Sequence, residues 1–417
     1  MTVREVSDQG YGKEGASADG ARDVTGEARV RLVTPLFLLI TAATFAYFLA
    51  VGTLIPSLPL FVAGALRGTD LEVGIAVGSF ALSAIVLRPL AGALGDRYGR
   101  KLLIVAGALG VAASIGGYAF VSALAPLVAL RIVTGVGEAF FYTGAASAIN
   151  DLAPDDRRGE ALSFFSLALY SGLAVGPIMG ETLVQHVSFD AAWFAAASCA
   201  AAAAALGLGV GDTRPPQLEP DTTARLRLLH PAGLAPGVVL ATSVWGLAGF
   251  STFVPLYAPT VGLGGSRLVF ALYSAIVLAI RSFGARLPDR LGHLSTARGA
   301  LAFSVTGLCT IAAWPEPAGL FIGTAVFAIG QALAFPALMS LAVTGAPPAQ
   351  RGAVVGTFTA FFDLSIGLGA VSLGAIAGRP LELGYRGTFV AAAAVAGIGF
   401  VLLTRRLAHS QAPAPPD

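Results

Sequence analysis

The sequence predicts an all-α membrane protein of twelve transmembrane helices in two related sets of six. Three observations predict it. Hydrophobic residues make up 55% of the 417-residue chain and charged residues only 12%, whereas a soluble domain carries about 25% charged residues. Apolar runs recur with short polar breaks between them, each close to the roughly 20 residues that a bilayer requires. Residues of the first half also return in the second at one constant spacing. Backbone groups in lipid must be satisfied within their own segment, so the apolar runs are expected to be helices.

Residues 1–32 are polar, rich in Gly, Ala and charges of both signs, and read as a disordered cytoplasmic tail. The tail is too long and too acidic for the basic start of a cleaved signal peptide, so the first span is retained. Spans are expected near 34–61, 71–92, 102–121, 124–149, 160–184 and 190–210, then near 235–258, 267–287, 298–314, 317–344, 352–377 and 385–404. The polar stretch 212–233 reads as a cytoplasmic linker between an N-terminal bundle, 33–211, and a C-terminal bundle, 234–405. A short Pro-rich cytoplasmic tail, 406–417, closes the chain.

Orientation follows from the Lys and Arg count of the loops. With the N-terminus inside, cytoplasmic segments hold nineteen of the 26 basic residues, and the outer loops hold only Arg67, Arg267, Arg379 and Arg386. Arg88, Arg131 and Arg281 fall inside spans. A multi-pass protein of a bacterial inner membrane with both termini cytoplasmic is expected.

Adding 193 to a residue number carries Arg88 onto Arg281, Asp96 onto Asp289, Arg97 onto Arg290, Gly99 onto Gly292, Gly137 onto Gly330 and Gly176 onto Gly369. A single offset held over about 90 residues points to a duplicated six-helix unit.

Several function classes are excluded by what the residues lack. Cys199 and Cys309 lie in separate apolar runs, one in each half, so no disulfide is expected. Four scattered histidines suggest no metal site, and no Gly-rich run ends in Lys followed by Ser or Thr after a strand. The chain reads as no enzyme, and nucleotide hydrolysis by this chain is not expected to be its energy source. The lipid bilayer is an expected partner, with no nucleic acid and no second subunit.

Between the second and third spans, Gly92 to Lys101 reads GALGDRYGRK. Gly92, Leu94, Asp96, Arg97, Gly99, Arg100 and Lys101 match the pattern G-x-L-x-D-R-x-G-R-[KR], and over residues 34–405 the chain resembles the major facilitator superfamily. That resemblance implies two six-helix bundles around a central cavity, rocking to expose a midplane site to each side in turn. It also implies that Asp96 docks on a helix N-terminus of the other half, held by the arginines, as a clasp that steadies the outward-facing state. Asp289 and Arg290 would form a weaker second clasp, because His293 stands where Arg100 does in the first copy.

Two further patterns bear on transport. Arg131, Gly135 and Gly137 resemble R-x-x-x-G-x-G, whose arginine the family links to proton translocation. Gly172, Gly176, Pro177 and Gly180 resemble G-x-x-x-G-P-x-x-G-G, a pattern of drug:proton antiporters, with Glu181 in place of the last glycine. Close helix packing is the other reading of those glycines.

Charge inside a span costs about 3 kcal/mol or more when unpaired. Glu138, Asp363 and Glu181 are the acidic residues expected there. Arg131 and Glu138 are seven residues apart, which puts them on one helix face with about 10 Å of rise between them. Glu138, Arg131, Asp363 and Glu181 are therefore the proton-coupling candidates. The cavity wall is expected to draw on Tyr47, Phe141, Tyr142, Tyr170, Trp245, Phe253, Tyr257, Phe327, Gln331, Phe335 and Phe362, with packing as the alternative role of each. An aromatic, weakly charged cavity favours a lipophilic or amphipathic molecule. Proton-driven efflux of a drug-like or secondary-metabolite compound is the leading expectation, with a small molecule and protons as partners and no cofactor beyond a proton gradient. A proton-coupled importer of a sugar or organic acid and a non-transporting receptor or scaffold are the alternatives.

Overall fold

The computed structural model describes residues 32–154, 157–211, 213, 230–284, 290–344, 346–347, 350–378 and 384–410. Among these, every regular element is helical. The long helices are α1 (Pro35–Leu60), α2 (Asp70–Tyr98), α3 (Arg100–Gly117), α4 (Leu124–Leu152), α5 (Arg158–His186) and α6 (Phe189–Leu208), followed by α7 (Pro231–Tyr257), α8 (Arg267–Phe283), α9 (His293–Ala313), α10 (Pro317–Thr344), α11 (Arg351–Ala377) and α12 (Gly384–Ser410). Eleven of them are long and apolar enough to cross a membrane. α8, with 17 residues, rises about 25 Å, short of a full bilayer core.

Local chemistry sets the helix ends. Thr34 Oγ1 accepts from the Phe37 amide at 3.2 Å and Pro35 occupies the first turn of α1, where its missing N–H costs nothing. At α2, Thr69 Oγ1 accepts from the Glu72 amide and Glu72 Oε2 accepts from the Thr69 amide at 2.6 Å, a reciprocal capping box. α2 continues through Tyr98 and stops only at Gly99, with φ 100°. This corrects the expected end of the span near 92. Gly92, Ala93 and Leu94 keep a helical backbone, and the reversal into α3 needs one residue in a conformation that side chains disfavour. Gly292, with φ 84°, opens α9 in the same way, five residues before the expected start of that span. α7 likewise begins at Pro231, inside the stretch expected as linker. The N-terminal tail to residue 31, linker residues 214–229 and Asp289 lie outside the described residues.

Helix packing repeats. In the first six helices α1 packs on α5 and α6, α2 on α4, and α3 on α4 and α6; in the second six α7 packs on α11 and α12, α8 on α10, and α9 on α10 and α12. Adding six to each label turns one set of neighbours into the other. The first six meet the second six chiefly through α2 against α11 and α5 against α8, two contacts related by the same rule.

Small residues let these helices approach. A Cβ on Gly176 of α5 would lie 2.6 Å from the Cα of Gly52 in α1, and one on Gly78 of α2 would lie 2.5 Å from the carbonyl oxygen of Gly367 in α11. Gly172 and Gly180 also face α1 backbone. Close α1–α5 packing is thus the visible work of the α5 glycines, as small residues usually serve in membranes.

Candidate functional site

A cavity of about 390 Å³ lies where α1, α2, α4 and α5 face α7, α8, α10 and α11. Its size falls in the range of small-molecule sites. Most of its wall is aliphatic or aromatic, and three guanidinium groups (Arg88, Arg131, Arg281) and two carboxyl groups (Glu138, Asp363) reach it.

The charges are arranged in three ways. Arg88 of α2 and Asp363 of α11 form a two-point ion pair, Nε to Oδ2 at 2.8 Å and Nη2 to Oδ1 at 3.0 Å, and the guanidinium lies 4.9 Å from the Tyr142 ring centroid. Glu138 of α4 accepts at Oε2 from the Tyr47 hydroxyl at 2.8 Å. Arg131, one face with Glu138 as the spacing required, turns instead to α2: Nε donates to the Ala76 carbonyl at 2.9 Å and Nη2 to the Val77 carbonyl at 3.0 Å, with Cζ 4.5 Å from the Phe80 ring. Arg281 of α8 has no carboxylate partner among the described residues. Its Cζ sits 3.9 Å from the centroid of Tyr170 on α5, and its Nε is buried without a hydrogen bond.

Tyr142, Tyr170, Gln331, Phe335 and Phe362 line the cavity as expected. Six expected wall residues lie off it. Tyr47 and Phe141 stack on each other with centroids 3.8 Å apart in the core of the first six helices. Trp245 donates its Nε1 to Ser372 Oγ at 3.1 Å, Phe253 and Tyr257 pack on Tyr385 of α12, and Phe327 packs on Phe250. Each fills space between helices, which is the ordinary use of an aromatic ring in a bundle.

Glu181 is also placed away from the cavity. Its Oε1 accepts from the Ser266 amide at 2.6 Å and its Oε2 from the Ser266 hydroxyl at 2.8 Å, while Gln185 Nε2 donates to Oε1 at 3.1 Å. The carboxylate therefore caps the N-terminus of α8 from α5, an anion on a helix's positive end.

Among the described residues, the ion pairs of Asp96 and Arg100 stay within the first six helices. Asp96 Oδ1 meets Arg100 Nη1 at 2.6 Å and its side chain is 71% exposed; Arg100 Nε reaches Asp151 of α4 at 3.1 Å. Arg97 lies over the Tyr98 ring at 5.2 Å, and Lys101 and Arg290 are exposed. Among the described residues Asp96 touches no helix of the second six; the contacts of α2 with α11 gather toward the opposite end of α2, where Gly74 meets the Ala370 carbonyl and Gly374 the Asp70 carbonyl.

Arg88 and Arg281 are the site residues that sequence reasoning did not single out. The signal was present, since both interrupt apolar runs and correspond at the offset of 193.

The Major Facilitator Superfamily family model matches residues 40–370. The chain belongs to that superfamily. An uncharacterized MFS-type transporter of Salmonella typhimurium is 32% identical over 372 residues, covering 86% of this chain and 93% of the relative. One from Burkholderia mallei is 28% identical over 396 residues, covering 93% and 96%. Among solved structures, a bacterial homolog of the human lysosomal transporter Spinster, in an inward-facing and occupied conformation, superposes with a TM-score of 0.75 at 16% identity, over 91% of this chain and 98% of that one. This facilitator-superfamily chain is thus a multi-pass membrane protein of a secondary-transport family, and its relatives are transporters.

Proposed function

We propose that the protein is a proton-coupled exporter in the inner membrane, with twelve spans arranged as two six-helix bundles, 33–211 and 234–405, that rock about the central cavity. The substrate is an amphipathic or lipophilic small molecule. One observation carries the reading: the Arg88–Asp363 ion pair joins α2 to α11 across the cavity, in walls that are otherwise mostly apolar. A charge pair in low dielectric is strongly coupled. A proton arriving at Asp363 removes the attraction between the bundles at that point, so proton occupancy biases their relative position. Glu138, held by Tyr47 on the facing wall, offers a second carboxyl within the same cavity.

Outward transport is favoured by the resemblance of Gly172, Gly176, Pro177 and Gly180 to the antiporter pattern, with Pro177 on the cavity wall. In this reading both termini face the cytoplasm, as the Lys and Arg count of the loops favours, and the Asp96 clasp belongs to the alternative end state. The test is accumulation of a lipophilic dye in cells with and without the protein. Lower accumulation that a protonophore abolishes is expected. Raised accumulation would reverse the direction, and no protonophore-sensitive difference across dyes and organic acids would sink the transport reading.

A further inference from the structure

The duplicated half-sites differ in one charge. The offset of 193 that carries Arg88 onto Arg281 also carries Tyr170 onto Asp363. The structure brings each pair together: Arg88 with Asp363 across α2 and α11, and Arg281 with Tyr170 across α8 and α5. The second site keeps the cation and replaces its carboxylate with an aromatic face. A guanidinium on a ring gains attraction from the ring quadrupole, but the ring accepts none of its in-plane N–H bonds in the way a carboxylate does. Arg281 Nε is buried with no acceptor.

A cation inside a span is expensive unless it is paired or meets its partner there. Arg88 is paired by Asp363, and Arg131 donates to two backbone carbonyls. Arg281 alone of the three cavity arginines has its in-plane donors uncommitted among the described residues. It sits in the last turn of α8, at the repeat position that Arg88 occupies ten residues before the end of α2, and its guanidinium turns to the Tyr170 ring and the cavity. Around it, Tyr273, Ser274 and Val277 continue the same face of α8 into the cavity, with Tyr170 and Phe165 opposite. The seat thus combines one bidentate donor with flanking aromatic and aliphatic surface.

We propose that Arg281 is the seat for the anionic head of the transported molecule, an amphipathic organic anion, and this rests on the transporter reading above. An anion there brings the cavity's five charges to zero. The empty cavity with one added proton carries two positive charges, which an inside-negative membrane potential pulls inward. The loaded, neutral cavity then moves outward without work against the potential, and the inward return of the protonated carrier is the step that the potential drives.

The test uses a matched pair of probes, 1-anilinonaphthalene-8-sulfonate and its neutral parent N-phenyl-1-naphthylamine, titrated into the purified full chain in phosphatidylcholine nanodiscs against empty nanodiscs. The wild type should prefer the sulfonate. Arg281→Gln should weaken the sulfonate by roughly tenfold or more, the scale of a charge-assisted hydrogen bond, and change the neutral probe less than about twofold. Arg281→Lys should recover part of the preference. Tyr170→Asp, which recreates the first site's pairing, should abolish the preference with Arg281 still present. Equal binding of the two probes by the wild type, or equal weakening of both by Arg281→Gln, overturns the proposal. A sulfonate preference that depends on Arg281, in a protein with no protonophore-sensitive transport, supports the seat and sinks the transporter reading; transport with no such preference does the reverse.

Discussion

Arg88 on α2 and Asp363 on α11 are 275 residues apart in the chain and meet in a two-point ion pair, Nε to Oδ2 at 2.8 Å and Nη2 to Oδ1 at 3.0 Å. Among the described residues it is the ion pair that joins the first six helices to the second six inside the cavity. Burial makes each partner costly without the other: removing one member of such a pair costs about 3–5 kcal/mol.

Asp363→Asn should therefore lower thermal stability and abolish uphill transport. Arg88→Gln combined with Asp363→Asn should recover much of the stability, since no charge is left uncompensated, while transport stays uncoupled. Melting curves and protonophore-sensitive flux for the two single variants and the double variant form the measurement. Additive losses of stability in the double variant would show that the pair does not act as a unit.

Glu138 offers a cleaner separation of coupling from folding. Glu138→Gln keeps an acceptor for the Tyr47 hydroxyl, now bonded at 2.8 Å, and removes only the titratable group. Substrate binding should remain within about twofold of wild type and lose part of its pH dependence, because the protonated carboxyl and the amide are similar in charge. Tyr47→Phe should instead leave the carboxyl without its donor and destabilise by about 1–3 kcal/mol. Normal pH dependence in Glu138→Gln would move the coupling role to Asp363.

Asp96 tests the clasp. Its contact with Arg100 is exposed and local, so Asp96→Asn should change stability by no more than about 0.5 kcal/mol. Transport should fall far more than that, because in the proposed cycle the charge is needed in the other end state, when the ends of the bundles that carry Asp96 approach. Full transport by Asp96→Asn would remove the clasp.

The helices were legible because apolar runs of bilayer length have few alternatives. Their ends were less so. Gly92 to Tyr98 continue α2 because nothing in that stretch forbids helix until Gly99, where φ is positive. Which aromatic faces the cavity was legible only in part: α1, α7 and α10 are apolar on all sides, so no polar face fixes their rotation. Tyr47 and Trp245 were consequently placed on the wall, and the structure turns them into the packing. The Arg88–Asp363 pair was illegible for a different reason, since it depends on the register of two helices from different halves. Phe335 and Trp245 convert this difference into a measurement: Phe335→Ala should weaken substrate binding, and Trp245→Phe, which loses the bond to Ser372, should lower stability and leave affinity near wild type.

Glu181 carries the last prediction. It stands where the α5 pattern has a glycine, and at the equivalent place in the second half Gly374 lets the Asp70 carbonyl approach α11 directly. In the first half the side chain does the joining: Ser266 donates its amide and hydroxyl to the carboxylate at 2.6 and 2.8 Å, and Gln185 spans Glu181 and the Gly264 carbonyl at 3.1 and 3.0 Å. These bonds tie α5 to the start of α8 at the end of the bundles that faces outward in the proposed orientation. Bonds to a charged acceptor contribute about 1.5–3 kcal/mol each. Losing them in Glu181→Ala should shift the end states toward the one open on that side, by roughly tenfold or more. The readout is the labelling rate of Ser274→Cys in the cavity, in a chain with Cys199 and Cys309 replaced by Ala, using a membrane-impermeant maleimide added outside. Labelling should be faster in Glu181→Ala and intermediate in Glu181→Gln, which keeps one acceptor. An unchanged rate in both variants would mean that the Gly74 and Gly78 contacts hold that face closed without Glu181.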